Sequence, residues 1–303
     1  ITGVPGAGKT LAGLNIVHNH KLHSKNDLGV FLSGNGPLVK VLNEALARDN
    51  SVRNNVNLKE SRRYVSTFIQ NVHHFIDEYF YTKHKKSIDK VVLFDEAQRA
   101  WNKEQSKRKF DRDYFEPEMM LEIMDRHDDW SVIVALIGGG QEINTGEAGL
   151  AEWGRVLSDK FSHWKIYISP QLKEGSHSTG SIKLFNTAPD FLDIIEDKAL
   201  HLNVSIRSYK AERLSEWVGE VIDGNSEHAK QISQKYLQEY PIYITRELDI
   251  TKNWLKLNCR GTRRSGIICS SGARRLRAFG IDTKMKIDIA KWFLENRNDI
   301  RSS

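Results

Sequence analysis

The chain alternates short apolar runs with longer amphipathic stretches. "LGVFLS" (28–33), "KVVLFDE" (90–96), "WSVIVALIGGG" (130–140) and "HWKIYIS" (163–169) predict strands. The second of these ends in two acids, as a buried parallel strand does at its ligand-facing end. Between the strands lie helical patterns. "GPLVKVLNEALARD" (36–49) carries Pro37 in its first turn, where proline is tolerated. "YVSTFIQNVHHFIDEYF" (64–80) spaces Val65, Phe68, Ile69, Val72, Phe75, Ile76 and Tyr79 as one helical face. Residues 116–129 and 146–159 predict two more helices, with Met119 and Met120 as core filler. The order strand, helix, strand, helix predicts a doubly wound α/β fold.

A polar stretch, "PQLKEGSHSTGS" (170–181), reads as a surface excursion. "ALHLNVSIRS" (199–208) then leads into helices at about 209–223 and 226–239. "PIYITR" (241–246) and "SGIICSS" (265–271) predict two further strands, each followed by a helical pattern. A chain of 303 residues has room for about two domains. The expected division is a first lobe over 1–204 and a second over 205–303.

The most specific chemistry is at the start. Gly3, Val4, Pro5, Gly6, Ala7, Gly8, Lys9 and Thr10 spell a phosphate-binding loop, "GVPGAGKT". The glycines let the backbone curl so that successive N–H groups face an anion. The helix that follows adds the positive end of its dipole. Lys9 supplies a point charge for β- and γ-phosphates, and the Thr10 hydroxyl can ligate Mg²⁺. Such a loop follows a strand of roughly 5–6 residues. Ile1 and Thr2 alone stand for it here, and "NDIRSS" closes the chain without a terminating element, so a segment of a longer protein is expected.

Asp95 and Glu96, in "LFDEAQRAW", complete the reading. Asp95 can hold Mg²⁺ and Glu96 can deprotonate an attacking water. Together the two motifs predict a Mg²⁺-dependent nucleoside triphosphatase, with ATP and Mg²⁺ as cofactors. Gly138, Gly139 and Gly140 allow close backbone approach, and Gln141 offers a donor and an acceptor to a γ-phosphate.

These segments resemble the bacterial Schlafen group 3-like DNA/RNA helicase domain family, related to superfamily 1 helicases. "GVPGAGKT", "VFLSGNGPLVKVLNEAL", "LFDEAQRAW", "MDRHDDWSVIVALIGGGQEINTGEAGLAEW" and "SGIICSSGARRLRAFGI" carry the likeness. The resemblance implies two RecA-like lobes, each a parallel sheet flanked by helices, with ATP between them and a single strand across the top. It implies nucleic-acid contact near Ser33 and Asn35, coupling of hydrolysis to that contact by Gln141, and γ-phosphate contact by Arg207 in "LNVSIRS". The family continues into later motifs with a further arginine, and no Q-G-L-E pattern precedes Ser303, so the second lobe is expected to be incomplete.

The net charge of +6 permits a polyanionic partner without requiring one. Two basic stretches interleave aromatics or glycines, at 99–117 and 259–280. In the second, Arg274 and Arg275 open a predicted helix after a strand, a seat for phosphate. DNA or RNA, single-stranded and bound without sequence preference, is the expected partner. Cys259 and Cys269 give neither metal spacing nor a disulfide framework, which makes a reducing cytoplasm the default. No apolar run reaches the ~18–20 residues of a membrane span. His18, His20 and His23 read as surface residues rather than ligands, and His73 and His74 as packing or surface positions on a helix. A second class stays open: a nucleotide-dependent switch or scaffold that gates a nuclease or other partner, by family analogy in antiviral defence.

Overall fold

The structure, a computed structural model, describes residues 1–4, 6–23, 28–82, 85–111, 113–138, 149–175, 183–204, 209–236, 242–259, 266–270, 272–283, 286–296, 299 and 301. The chain forms two compact units. One comprises Ile1–Tyr209 with Ile289–Ser303, and the other Lys210–Asp288.

The first unit opens with β1 (Thr2–Gly3), α1 (Lys9–His23), β2 (Leu28–Ser33), α2 (Gly36–Asn54) and α3 (Leu58–Ser66). It continues with β3 (Ile69–Asn71), α4 (Val72–Tyr79), β4 (Asp89–Asp95), α5 (Lys103–Phe110), α6 (Glu116–Met124) and β5 (Val132–Ala135). Next come α7 (Gly149–Lys160), β6 (Ile166–Ile168), α8 (Pro170–Glu174), β7 (Ile194–Glu196) and β8 (His201–Leu202). Strands β3-β2-β4-β5 form one parallel sheet in that order. The parallel pair β1-β8 joins its far side through a bridge between Thr2 and Ile137. Strands β6 and β7 form a separate parallel pair.

Alternation along the strands covers both faces of the sheet. Val30, Leu32, Val92 and Phe94 point into a core with α4, α6 and α7, around Phe75, Met119, Met120 and Trp153. Phe31 and Leu93 point the other way, onto Val17 of α1, Val39 and Ala47 of α2 and Val65 of α3. This two-sided burial explains why these strands read as unbroken apolar runs.

One predicted helix is divided. Residues 64–80 become the end of α3, strand β3 and α4. The edge of β2 takes up Ile69–Asn71, and Phe31 N donates to Phe68 O at 2.8 Å. Asn71 then caps α4 by accepting from His73 N at 3.0 Å.

The second unit holds the rest of α9 (Tyr209–Ile222), α10 (Ser226–Tyr236) and α11 (Leu248–Asn258). The two strands predicted here do not form: among the described residues, 242–246 and 266–270 belong to no sheet. Ile244 and Ile268 are 96% and 99% exposed, so neither side chain is buried as a strand residue on a packed sheet face would be. Helix α12 (Ile289–Leu294) returns to the first unit, packed on α2.

Candidate functional site

Glycine governs the geometry of the loop after β1. Gly6 and Gly8 adopt φ of 77° and 85°, a region that favours glycine. Gly13 sits where a Cβ would come within 2.7 Å of Leu93 Cδ2 and 2.8 Å of Leu136 Cδ1. Its absence lets α1 lie directly on the sheet, so the helix start stands at the carboxyl ends of the strands. Strand β8 fixes the loop's root, with Val4 N donating to Leu202 O at 3.1 Å. A Cβ on Gly3 would meet Leu202 Cβ at 2.9 Å.

Lys9 folds back over this loop and donates to Gly3 O at 2.9 Å and Val4 O at 3.4 Å. Burial lowers its pKa, against the pull of Glu96 and Asp95. The Thr10 hydroxyl makes long contacts of 3.4 and 3.3 Å to the two Asp95 carboxylate oxygens. Asp95 is buried at the end of β4, and its pKa is raised to about 6, first by burial and then by the Glu96 charge. Thr10 and Lys9 act in the opposite direction.

Glu96 turns off the strand in a left-handed conformation, φ 57° and ψ 44°. That conformation costs of order 1 kcal/mol for a residue with a Cβ. It is held by Gln98, whose Nε2 donates to Glu96 Oε2 at 2.5 Å. The Gln98 Oε1 accepts from Gly138 N at 3.1 Å. Gly138 faces the same space: a Cβ there would lie 3.4 Å from Lys9 Nζ and 3.6 Å from Glu96 Oε2. Four segments therefore converge, from the loop, the end of β4, the turn after it and the end of β5.

Thr10 and Asp95 form an oxygen-only donor pair, which fits Mg²⁺, a hard cation that takes one or two carboxylates and fills its remaining positions from water and substrate phosphate. Gly6 and Gly8, both at positive φ beside Lys9, leave the loop backbone without side chains, which suits backbone N–H groups to an anion. No group of three or more His, Cys, Asp and Glu suited to a metal occurs among the described residues, and Mg²⁺ bound this way needs none.

Several singled-out positions are placed differently from one another. Pro5, Gln141 and Arg207 lie outside the described residues. Ser33 is fully buried, and its hydroxyl accepts from Asn35 N at 3.2 Å. Asn35 is exposed and caps α2 by accepting from Leu38 N. Arg274 and Arg275 are exposed in the second unit and open a 3₁₀ turn, Arg274–Phe279, rather than an α-helix. In the first basic stretch, Lys103 and Lys107 both pair with Asp113, and the Trp101 ring lies 4.6 Å from that of His73. Glu116 is buried beneath them, accepting from Trp101 N at 2.8 Å. His18 is exposed, and the side chains of His20 and His23 lie outside the described residues. Gln98 was missed in the sequence; its signal was the last letter of "DEAQ", two residues past Glu96.

A parallel, doubly covered sheet whose first strand runs through a glycine-rich loop into a helix defines a RecA-like P-loop α/β fold. The chain belongs to the Schlafen group 3, DNA/RNA helicase domain family, which matches residues 1–303. No curated protein matches it. Among the described residues no helix is long and apolar enough to cross a membrane.

Proposed function

We propose that this helicase-family domain is an ATP-driven motor on single-stranded DNA or RNA, in the cytoplasm, with a second lobe that begins near 205. The convergence of Lys9, Thr10, Asp95 and Glu96 at the carboxyl ends of the strands supports the reading most directly. The loop N–H groups and Lys9 would hold the β- and γ-phosphates. Thr10 and Asp95 would hold Mg²⁺, which neutralises phosphate charge. Glu96 would orient and deprotonate the attacking water, and Gln98, which donates to its carboxylate, would hold that carboxylate in position. From the family resemblance, Gln141 and Arg207 would contact the γ-phosphate, and Asn35, Arg274 and Arg275 the strand. Alternating grip during ATP binding and hydrolysis would then move the protein along the strand.

The test is the ATPase rate of the full protein with and without single-stranded DNA and RNA. Stimulation of about tenfold, ~1.4 kcal/mol in the limiting barrier, is expected for a motor. A flat response, with turnover that instead depends on a protein partner, would replace the motor by a nucleotide-dependent switch gating a nuclease or other effector.

A further inference from the structure

At the root of the phosphate loop three side chains form a chain, buried at Thr2 and Ser169 and half-buried at His201. Thr2 Oγ1 lies 2.7 Å from Ser169 Oγ and 2.7 Å from His201 Nδ1. Thr2 and Ser169 are both 0% exposed. The three residues come from β1, the end of β6 and β8, and Thr2 and His201 face each other in register.

Counting protons settles the direction of this chain. Two hydroxyls bring two protons, and a neutral imidazole brings one. If His201 Nδ1–H donated to Thr2, Thr2 would donate to Ser169, and the Ser169 proton would have no acceptor among the described residues. If both neighbours donated to Thr2, the Thr2 proton would be stranded instead. A buried donor without a partner is strongly disfavoured. One arrangement uses every proton: Ser169 donates to Thr2, Thr2 donates to His201 Nδ1, and the ring carries its proton on Nε2. Burial and the nearby Lys9 charge both lower the His201 pKa, which keeps the ring neutral.

We propose that His201 is a further nucleotide-binding residue, its ring fixed by Thr2 and Ser169 so that Nε2–H is presented as a donor to a phosphate oxygen of the nucleotide. The inference rests on the nucleotide reading of the loop. Three observations carry it. His201 Nε2 has no hydrogen-bond partner among the described residues. The strand that bears it ends beside the loop, with Leu202 O bonded to Val4 N. Lys9 Nζ, the group placed to meet phosphate, donates to Gly3 O at 2.9 Å, and Gly3 pairs in register with Leu202, the residue next to His201. A neutral N–H donor adds a directed contact without adding charge to a crevice that already holds Lys9.

The experiment is long-range ¹H–¹⁵N correlation NMR on the labelled full protein near neutral pH, with His201 assigned by His201→Gln. The free protein should show His201 as the Nε2–H tautomer, and Thr2→Val should abolish that preference. Saturating MgADP or magnesium pyrophosphate should shift the Nε2 resonance, whereas adenosine should not. His201→Ala should weaken MgADP binding about tenfold, with the fold intact by circular dichroism. A Nδ1–H tautomer, or an imidazolium, overturns the chain direction and the proposal. MgADP that binds by calorimetry without moving the His201 signals, or a shift caused by adenosine alone, overturns the phosphate contact and leaves the nucleotide site standing. Failure of every nucleotide to bind overturns the nucleotide site as well.

Discussion

The side-chain carbonyl of Gln98 accepts the backbone N–H of Gly138 at 3.1 Å, while its amide donates to Glu96 at 2.5 Å. One amide thus ties the candidate water-activating carboxylate to the strand end that leads toward Gln141. Gln98 is 1% exposed, so these bonds are not shared with bulk water. Gln98→Ala leaves Glu96 free to rotate and Gly138 N without its acceptor. The expected result is a fall in kcat of about 10²-fold with little change in ATP affinity, since positioning of a general base is what is lost. A variant with native kcat would remove Gln98 from the site.

Lys9 and Glu96 should separate binding from turnover. Lys9→Ala removes the only cation of the loop and should raise the Kd for ATP by about tenfold or more. Glu96→Gln keeps the shape and the Gln98 contact but cannot take a proton. It should bind ATP at near-native affinity and lose about 10²–10⁴-fold in kcat. Equilibrium nucleotide titration alongside single-turnover hydrolysis checks both. Native hydrolysis by Glu96→Gln would remove the assignment of the base.

Two glycines near the site should fail in different ways. At Gly13 a methyl group meets Leu93 and Leu136 at 2.7 and 2.8 Å, both in the packed layer under α1. Gly13→Ala should therefore destabilise the fold by about 1–3 kcal/mol. At Gly138 the nearest atom is Lys9 Cε at 3.2 Å, part of a flexible side chain that can move aside. Gly138→Ala should leave Tm nearly unchanged and lower ATPase activity, because the methyl enters the space beside Lys9 Nζ. Thermal melts paired with steady-state rates distinguish the two. Equal loss of Tm at both positions would contradict this account.

The sequence showed the loop and the carboxylate pair because their chemistry is written in short spacings, and the structure brings Thr10 to Asp95 across 85 positions. It showed β2, β4 and α2 because two-sided burial leaves unbroken apolar runs and Pro37 marks a helix start. It missed β3, since Phe68 and Ile69 also satisfy a helical period and the open edge of β2 is invisible in a local window. The runs at 241–246 and 265–271 have strand composition, yet composition cannot supply a hydrogen-bonding neighbour. The chain of Ser169, Thr2 and His201 was out of reach for a related reason: Thr2 stands 167 positions from Ser169 and 199 from His201.

Nucleic-acid binding at Arg274 and Arg275 has an electrostatic signature. Both are exposed in the second unit, at the start of its 3₁₀ turn. Each phosphate neutralised on a single strand contributes about −0.7 to the slope of log K against log salt. Replacing both arginines by alanine should weaken binding to oligo(dT) and oligo(rU) alike and flatten that slope by about 1.4. Fluorescence anisotropy across a salt series measures it. An unchanged slope would place the strand elsewhere.

Glu44 on α2 carries the last prediction, on stability rather than turnover. It accepts from Arg62 at 2.7 and 2.9 Å and from Arg48 at 2.8 Å, and Arg48 in turn reaches Glu295, just past α12. The Arg62 hydrogen bonds, opposed by burial and aided by Arg48, hold the Glu44 pKa down to about 2 against an ordinary 4.5. A depressed carboxyl favours the folded state fully above the unfolded value, so its contribution is present above pH 4.5 and fades as pH falls toward 2. The arginines are partly exposed, and solvent screening limits the contribution to about 1 kcal/mol. Glu44→Gln should therefore be less stable than the native protein by about that amount at neutral pH, and by clearly less near pH 3. Urea melts at the two pH values compare them. A gap that stays constant would mean that Glu44 acts through packing and not through its charge.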